Sequence, residues 1–156
     1  MELLLFCGIQ ATGKSTFYKN YFFNTHVRIS LDLLNTRKKE DRFLQTCFDL
    51  QQRIVIDNTN PAQADRAKYI QLAQANQYKI IGYFFQSRIK ESIERNAQRN
   101  GKEKINEKGI IATSNKLEIP TFSEGFNELY FVRFDNNNAP NNSVSPFLIT
   151  PWQNEI

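Results

Sequence analysis

The chain has 156 residues, of which 40% are hydrophobic and 23% are charged, and this composition is typical of one globular domain. It excludes a disordered chain and a disulfide-stabilised scaffold, and the formal net charge of +4 favours an anionic partner without requiring one. The first apolar run, residues 3–9, is far too short for a membrane span and follows no basic segment. We therefore expect no signal peptide, no membrane helix and a cytoplasmic protein in which Cys7 and Cys47 are reduced core residues.

Short apolar runs alternate along the chain with longer segments of helical composition. Strands are predicted at residues 3–7, 27–29, 54–56, 80–85 and 129–134. Helices are predicted at residues 14–23, 31–52, 62–77, 89–100 and 106–115. Strands that alternate with helices favour a parallel sheet covered on both faces. The predicted fold is α/β, with a five-stranded, mainly parallel sheet flanked by helices.

The C-terminal part differs in composition from the rest of the chain. Residues 135–145 are rich in Asn and contain Pro, which predicts a linker or tail that forms no core. Residues 146–156 have enough apolar character to pack on the domain or on a partner, and the sequence leaves both open. We predict a folded domain at residues 1–134 and an Asn-rich C-terminal linker or tail at residues 135–156.

A phosphate-binding motif lies between the first predicted strand and the first predicted helix. Residues 8–15 read G-I-Q-A-T-G-K-S, which meets the pattern G-x-x-x-x-G-K-[ST] in its required context. In such a loop the backbone N–H groups surround the β-phosphate, the lysine reaches the β- and γ-phosphates, and the hydroxyl residue ligates Mg²⁺. The motif therefore predicts a site for ATP and Mg²⁺ formed by Gly8, Ile9, Gln10, Ala11, Thr12, Gly13, Lys14, Ser15 and Thr16. No N-K-x-D motif is present, which argues against a GTPase.

Two aspartates follow the second and third predicted strands. Asp32, in R-I-S-L-D, is placed to face the γ-phosphate and to orient an acceptor hydroxyl as its general base. Its alternative role is to cap the helix that follows. Asp57, at the end of I-V-I-D, is placed to hold the Mg²⁺ shell together with Ser15, and its alternative is a turn leading into N-T-N-P.

The predicted helix at residues 89–100 has the composition of a lid. Its thin apolar stripe consists of Ile89, Ile93 and Ala97. Arg95 and Arg99 lie one turn apart and could bind the same anion, so closure of this helix would place positive charge on the transferring phosphoryl group. A solvated face, in which Glu91 pairs with Arg95, explains the same composition equally well.

Three segments resemble the kinase domain of the polynucleotide 5'-kinase family of bacteriophages and animals. They are V-I-D-N-T-N-P with R-A-K-Y in residues 55–69, R-N-A-Q-R-N-G in residues 95–101, and P-T-F-S-E-G-F in residues 120–126. The resemblance covers residues 3–134 and implies a P-loop NTPase fold with an arginine-bearing helical lid, ATP and Mg²⁺ as cofactors, and a nucleic acid with a 5'-OH end as partner.

The resemblance also implies residue roles. These are Lys14 and Ser15 on ATP and Mg²⁺, Asp32 as general base, and Arg99 with Arg95 on phosphates. Residues 30–32 read S-L-D where the family usually has N-R-D, so the arginine beside the base is missing.

Two other functions remain open. Small-metabolite and nucleotide-sugar kinases share the predicted sheet, loop and lid, and an ATP-binding switch that transfers no phosphoryl group would share the loop alone. The basic residues Arg37, Lys38 and Lys39 are predicted to follow Asp32 on the same helix, where they would meet a phosphate deeper in a bound strand.

Overall fold

The computed structural model describes residues 1–135 and 146–152 as an α/β domain. Its strands are β1 (Glu2–Cys7), β2 (Val27–Ile29), β3 (Ile54–Ile56), β4 (Lys79–Phe85), β5 (Glu128–Phe134) and β6 (Phe147–Pro151). Its helices are α1 (Lys14–Tyr21), α2 (Leu31–Leu34), α3 (Arg37–Asp49), α4 (Gln63–Ala75), α5 (Ile89–Ala97) and α6 (Glu107–Asn115). Short 3₁₀ turns are formed by Gly101–Glu103 and Phe122–Glu124. Within the described ranges no helix is long and apolar enough to cross a bilayer.

The strands form one sheet in the order β2-β3-β1-β4-β5-β6. The first five are parallel to their neighbours, whereas β6 pairs antiparallel with β5. The predicted α/β class and the mainly parallel sheet are confirmed. The predicted count of five strands is one too few, because β6 lies in the segment assigned to the linker or tail. The Asn-rich residues 136–145 of that segment, and residues 153–156, lie outside the described residues.

The two faces of the sheet carry separate hydrophobic clusters, because successive side chains of a strand point to opposite faces. Leu3 and Leu5 of β1 pack with side chains of α3 and α4, whereas Leu4 and Phe6 pack with Phe17 of α1. All of these side chains are fully buried. The central strand β1 is therefore covered on both faces, and the loop that follows it starts from a rigid position.

The single helix predicted at residues 31–52 is wrong, because the chain breaks it at Asn35. This residue has φ 68°, a left-handed conformation that asparagine tolerates and that ends α2. Thr36 then caps α3 by accepting a hydrogen bond from Lys39 N. Arg37 to Lys39 therefore lie on a different helix from Asp32, and Arg37 pairs with Glu40 at 3.0 Å.

The apolar stripe predicted for α5 is also wrong. Ile89 and Ala97 are exposed, and the buried residues of the helix are Ser92 and Asn96. The amide of Asn96 explains this orientation, because its Nδ2 donates to Ile105 O and its Oδ1 accepts from Ile105 N at 2.8 Å. A polar clamp on the segment before α6, and not an apolar face, holds the end of α5.

The strand β6 supports the loop that precedes α1. Gly13 in this loop has φ 93°, and a Cβ added there would lie 2.7 Å from the ring of Phe134 and 2.9 Å from the ring of Phe147. These two rings stack with centroids 5.0 Å apart, and Phe147 also contacts Phe17 edge-on at 5.2 Å. Glycine is therefore required at position 13 by both its backbone conformation and its neighbours.

We expect Phe147→Ala to lower the free energy of unfolding by about 3 kcal/mol, because it removes a buried ring from this aromatic contact. Ile149→Ala on the same strand is the matched control, since Ile149 is 38% exposed where Phe147 is 6% exposed. Ile149→Ala should lower the free energy of unfolding by less than about 1 kcal/mol. Urea unfolding of both variants measures the difference, and equal losses would contradict the assigned role of β6.

Candidate functional site

The loop between β1 and α1 is fixed by hydrogen bonds to neighbouring strand ends. Gly8 N donates to Thr59 O, after β3, at 2.9 Å, and Ile9 N donates to Ser87 Oγ, after β4, at 3.1 Å. Within the loop, Thr12 Oγ1 donates to Ile9 O at 3.0 Å. The loop is thus held in shape from both sides of β1 before any ligand is considered.

A cavity of about 120 Å³ lies against this loop at the carboxyl ends of the parallel strands. It is lined by residues 10–16 together with Asp32, Asp57, Asn58, Thr59, Arg99 and Ile105. The cavity therefore brings together most of the loop, including Lys14, and three of the other side chains predicted from the sequence, namely Asp32, Asp57 and Arg99. Sites of open α/β sheets occur at this edge, because the loops that follow the strands meet there.

Lys14 is buried in the loop with only 8% of the residue exposed. Its Nζ donates to Gly8 O at 2.9 Å, to Ile9 O at 2.5 Å and to Thr12 Oγ1 at 3.3 Å. Burial lowers the pKa of Lys14 to about 8, although the nearby Asp57 carboxylate acts in the opposite direction. An anion bound in the loop would offset this desolvation and stabilise the charged form of Lys14.

Ser15 and Asp57 form the pair expected to hold a metal ion. Ser15 Oγ donates to Asp57 Oδ2 at 3.0 Å, and the Asp57 side chain is 2% exposed. A hydroxyl and a carboxylate beside a phosphate loop are the oxygen ligands that Mg²⁺ prefers, with phosphate and water as the others. The described residues contain no larger cluster of acidic, His or Cys side chains that could hold a metal alone. The two residues therefore fit Mg²⁺ bound jointly with a nucleotide.

Arg28 also contacts this pair, although sequence reasoning did not select it. Its Nε donates to Asp57 Oδ2 at 2.7 Å and its Nη2 to Ser15 Oγ at 3.0 Å. The guanidinium group supplies positive charge to the buried Asp57 carboxylate. An arginine inside the short apolar strand V-R-I was the available signal, because a charged residue there needs a partner at the sheet edge.

Asp32 lies in the first turn of α2 and is exposed at the rim of the cavity. The helix begins after Ser30, and its first amide, Leu31 N, donates to Asn58 Oδ1 at 2.8 Å. Asn58 follows Asp57 at the end of β3 and lines the same cavity. The position of Asp32 therefore depends on a side chain from the neighbouring strand end.

The two predicted lid arginines line different cavities. Arg99 lines the phosphate-loop cavity, and its Nη1 donates to Glu103 O at 3.2 Å. Arg95 pairs with Glu91 at 3.3 Å and lies 4.7 Å above the ring of Phe134. The structure does not bring them to one anion, because α5 ends at Ala97 and Arg99 no longer follows Arg95 on a helix face.

The second cavity, of about 550 Å³, adjoins the first at Thr12. Arg95 and Gln98 form one side of it, and Phe134 and Pro146 form another. Its volume is in the range of small-molecule sites. Sequence reasoning missed this cavity because it forms only when β5, the residues before β6 and α5 come together.

A strand, a lysine-bearing loop and a helix N-terminus at the edge of a parallel sheet are the means by which P-loop domains bind nucleotide phosphates. With acidic residues after β2 and β3 and arginines in and after the helix that follows β4, this chain has the kinase-type P-loop fold predicted from its sequence. A family model described as an AAA domain matches residues 3–117, and the chain belongs to this family.

Curated relatives carry the name expected from the three motifs. A bifunctional polynucleotide phosphatase/kinase of Schizosaccharomyces pombe is 26% identical over 137 residues, which cover 85% of this chain and 34% of that protein. A protein of Acanthamoeba polyphaga mimivirus with the same name is 35% identical over 81 residues, which cover 51% of this chain and 19% of that protein. The chain thus matches only 34% and 19% of the length of these two relatives, and the predicted resemblance is confirmed.

Solved structures share the fold at low sequence identity. Kti12 of Chaetomium thermophilum, solved in complex with ADP-AlF₃, has a TM-score of 0.64 at 14% identity, covering 86% of this chain and 90% of that chain. At this identity the likeness concerns the fold alone.

We expect the protein to take up protons when it binds ATP at high pH. Lys14 has a pKa of about 8 in the free protein, and bound phosphates would raise it, so at pH 9 a largely neutral amine becomes charged on binding. Affinity should therefore fall as the pH rises above about 8. Calorimetry at pH 9 in buffers of different ionisation enthalpy should show uptake approaching about one proton. Binding by the parent without proton uptake, or with proton release, would refute the mechanism.

Proposed function

We propose that this domain is a kinase that uses ATP and Mg²⁺ to phosphorylate the 5'-OH of a polynucleotide. The observation that carries the proposal is the single cavity lined by Lys14, Ser15, Asp57, Asp32 and Arg99. It combines a phosphate-binding loop with a carboxylate for the acceptor and a cation for the transferred group. These are the parts that phosphoryl transfer needs.

Each residue has a separate role in the transfer. Lys14 binds the β- and γ-phosphates, while Ser15 and Asp57 hold Mg²⁺, which when bound neutralises phosphate charge. Asp32 orients the acceptor hydroxyl and takes its proton. The hydroxyl oxygen bonds to the γ-phosphorus as the bond to the β-phosphate oxygen breaks, and ADP leaves. Arg99 stabilises the charge on the transferred group.

The larger cavity would hold the nucleoside part of ATP. It adjoins the phosphate-loop cavity at Thr12, and the Arg95 guanidinium above Phe134 gives it a flat, polarisable wall suited to an aromatic base. In this assignment Arg95 contacts the nucleoside of ATP, whereas the sequence-based prediction placed it on the transferred phosphate. Both cysteines are buried and unpaired, and reduced cysteines support a cytoplasmic location for this kinase.

The nature of the acceptor rests on the relatives. Both curated relatives are named as polynucleotide kinases, and the net charge of +4 is compatible with a nucleic-acid partner. The matched length is only part of those proteins, so their phosphatase activity is not carried over to this chain.

A direct test incubates the protein with γ-labelled ATP and a panel of acceptors. The panel contains DNA and RNA oligonucleotides with 5'-OH ends, nucleosides and small polyols, and the matched control is each oligonucleotide with a 5'-phosphate. We expect label on the 5'-OH oligonucleotides alone. Label only on a small metabolite would contradict the polynucleotide acceptor, and the absence of any labelled acceptor would favour an ATP-binding switch.

We expect Asp32→Asn to retain ATP binding and to lose turnover by at least about a hundredfold, because the amide cannot take the hydroxyl proton. Lys14→Ala should lose both ATP affinity and turnover. Calorimetry and steady-state kinetics separate the two effects. If Asp32→Asn turned over almost as fast as the parent, another residue would have to act as the base, and Asp57 is the next candidate.

The two lid arginines should give opposite kinetic signatures. Arg99→Ala should lower turnover about tenfold or more with little change in ATP affinity, since it acts on charge that develops in the transition state. Arg95→Ala should weaken ATP binding with little change in turnover at saturation. Equal losses of affinity and turnover in both variants would show instead that the two residues form one static clamp.

A further inference from the structure

Glu40 is a buried carboxylate that the proposed mechanism does not use. It lies on α3, is 0% exposed and does not line the phosphate-loop cavity. It accepts hydrogen bonds from Tyr69 OH at 2.7 Å, from Asn58 Nδ2 at 3.0 Å and from Arg37 Nη1 at 3.0 Å. Burying a carboxylate is costly unless such donors surround it.

The ionised state of Glu40 determines which way the Asn58 amide points. Burial would raise the pKa of Glu40, but the hydrogen bonds from Tyr69, Asn58 and Arg37 outweigh it and hold the pKa below its usual value. An ionised carboxylate only accepts hydrogen bonds, so the amide must present Nδ2 to it. Asn58 Nδ2 also contacts Tyr69 OH at 3.3 Å, on the same side.

With Nδ2 so directed, Asn58 Oδ1 faces the start of α2. There it accepts from Leu31 N at 2.8 Å, one residue before Asp32. The helix α2 spans only Leu31–Leu34 and none of its residues is buried. Such a short helix has little stability of its own, so contacts at its ends determine where it lies.

We propose that Glu40 is a positioning residue, whose carboxylate orients the Asn58 amide and thereby fixes the start of α2 and the place of Asp32. The inference rests on the proposed role of Asp32 in phosphoryl transfer. A role confined to joining α3 to α4 through Tyr69 is the competing explanation, and it predicts lower stability without a specific kinetic defect.

The test compares Glu40→Gln with Asp41→Asn. Glutamine has nearly the shape of glutamate but offers donors to Asn58, so the amide of Asn58 loses its fixed orientation. Asp41 is the adjacent residue, its side chain is 56% exposed, and it pairs with Lys68 at 2.6 Å. Lys68 also lies 3.4 Å from Glu40 Oε1, so the Asp41 variant makes the same charge change beside the network but leaves the contact between Glu40 and Asn58 in place. We expect Glu40→Gln to lower kcat about tenfold or more with KM for ATP unchanged, because small displacements of a reacting group are costly. Asp41→Asn should resemble the parent.

Amide hydrogen exchange of residues 31–35 provides a readout that needs no substrate. We expect faster exchange there in Glu40→Gln and in Asn58→Ala, and parental exchange in Asp41→Asn. If Glu40→Gln does not fold, Glu40→Asp takes its place, because the shorter side chain keeps the charge but withdraws the carboxylate from Asn58. Unchanged exchange at residues 31–35, with or without a loss of kcat, would overturn the proposal. A parent protein that phosphorylates no acceptor would refute the proposed function instead, and exchange would still decide whether Glu40 positions α2.

Discussion

Two backbone N–H groups at the start of the phosphate loop donate to residues outside the loop, Gly8 to Thr59 and Ile9 to Ser87. The strands β3 and β4 lie on either side of β1, and their ends therefore determine the shape of the loop. This constraint lets the carbonyl groups of Gly8 and Ile9 converge on the buried ammonium of Lys14. A buried cation is tolerated only where such acceptors are fixed in place. The rest of the site is built around this lysine.

The segments around the loop are held by asparagine side chains. Asn60 Nδ2 donates to Phe6 O at 2.7 Å, Asn58 holds the start of α2, and Asn96 clamps the segment before α6. An amide offers a donor and an acceptor on one short side chain, so it can join two backbone segments where no regular hydrogen-bond ladder exists. The loops thereby gain order without apolar burial, which leaves the cavity walls polar.

The sequence predicted the parts of the fold that have a local signal. Uniformly apolar strands, intervening helices and the glycine-lysine loop are each encoded within a few residues, and the structure has them close to the predicted positions. The break at Asn35 and the polar buried face of α5 were missed because they depend on hydrogen bonds to partners that periodicity does not reveal. Arg28 and Glu40 were missed for the same reason. The pairing of β6 was missed because Asn-rich residues separate it from β5.

The contact of Phe147 with Gly13 joins two segments that lie far apart in the sequence. Residue 13 is synthesised well before residue 147, and Pro146 beside Phe147 lines the larger cavity. During translation the sheet from β1 to β5 can therefore assemble while the loop still lacks this aromatic support and the cavity lacks one wall. Nucleotide would bind weakly to such a nascent chain. The order of synthesis thus delays a fully formed phosphate-loop cavity until β6 has been made.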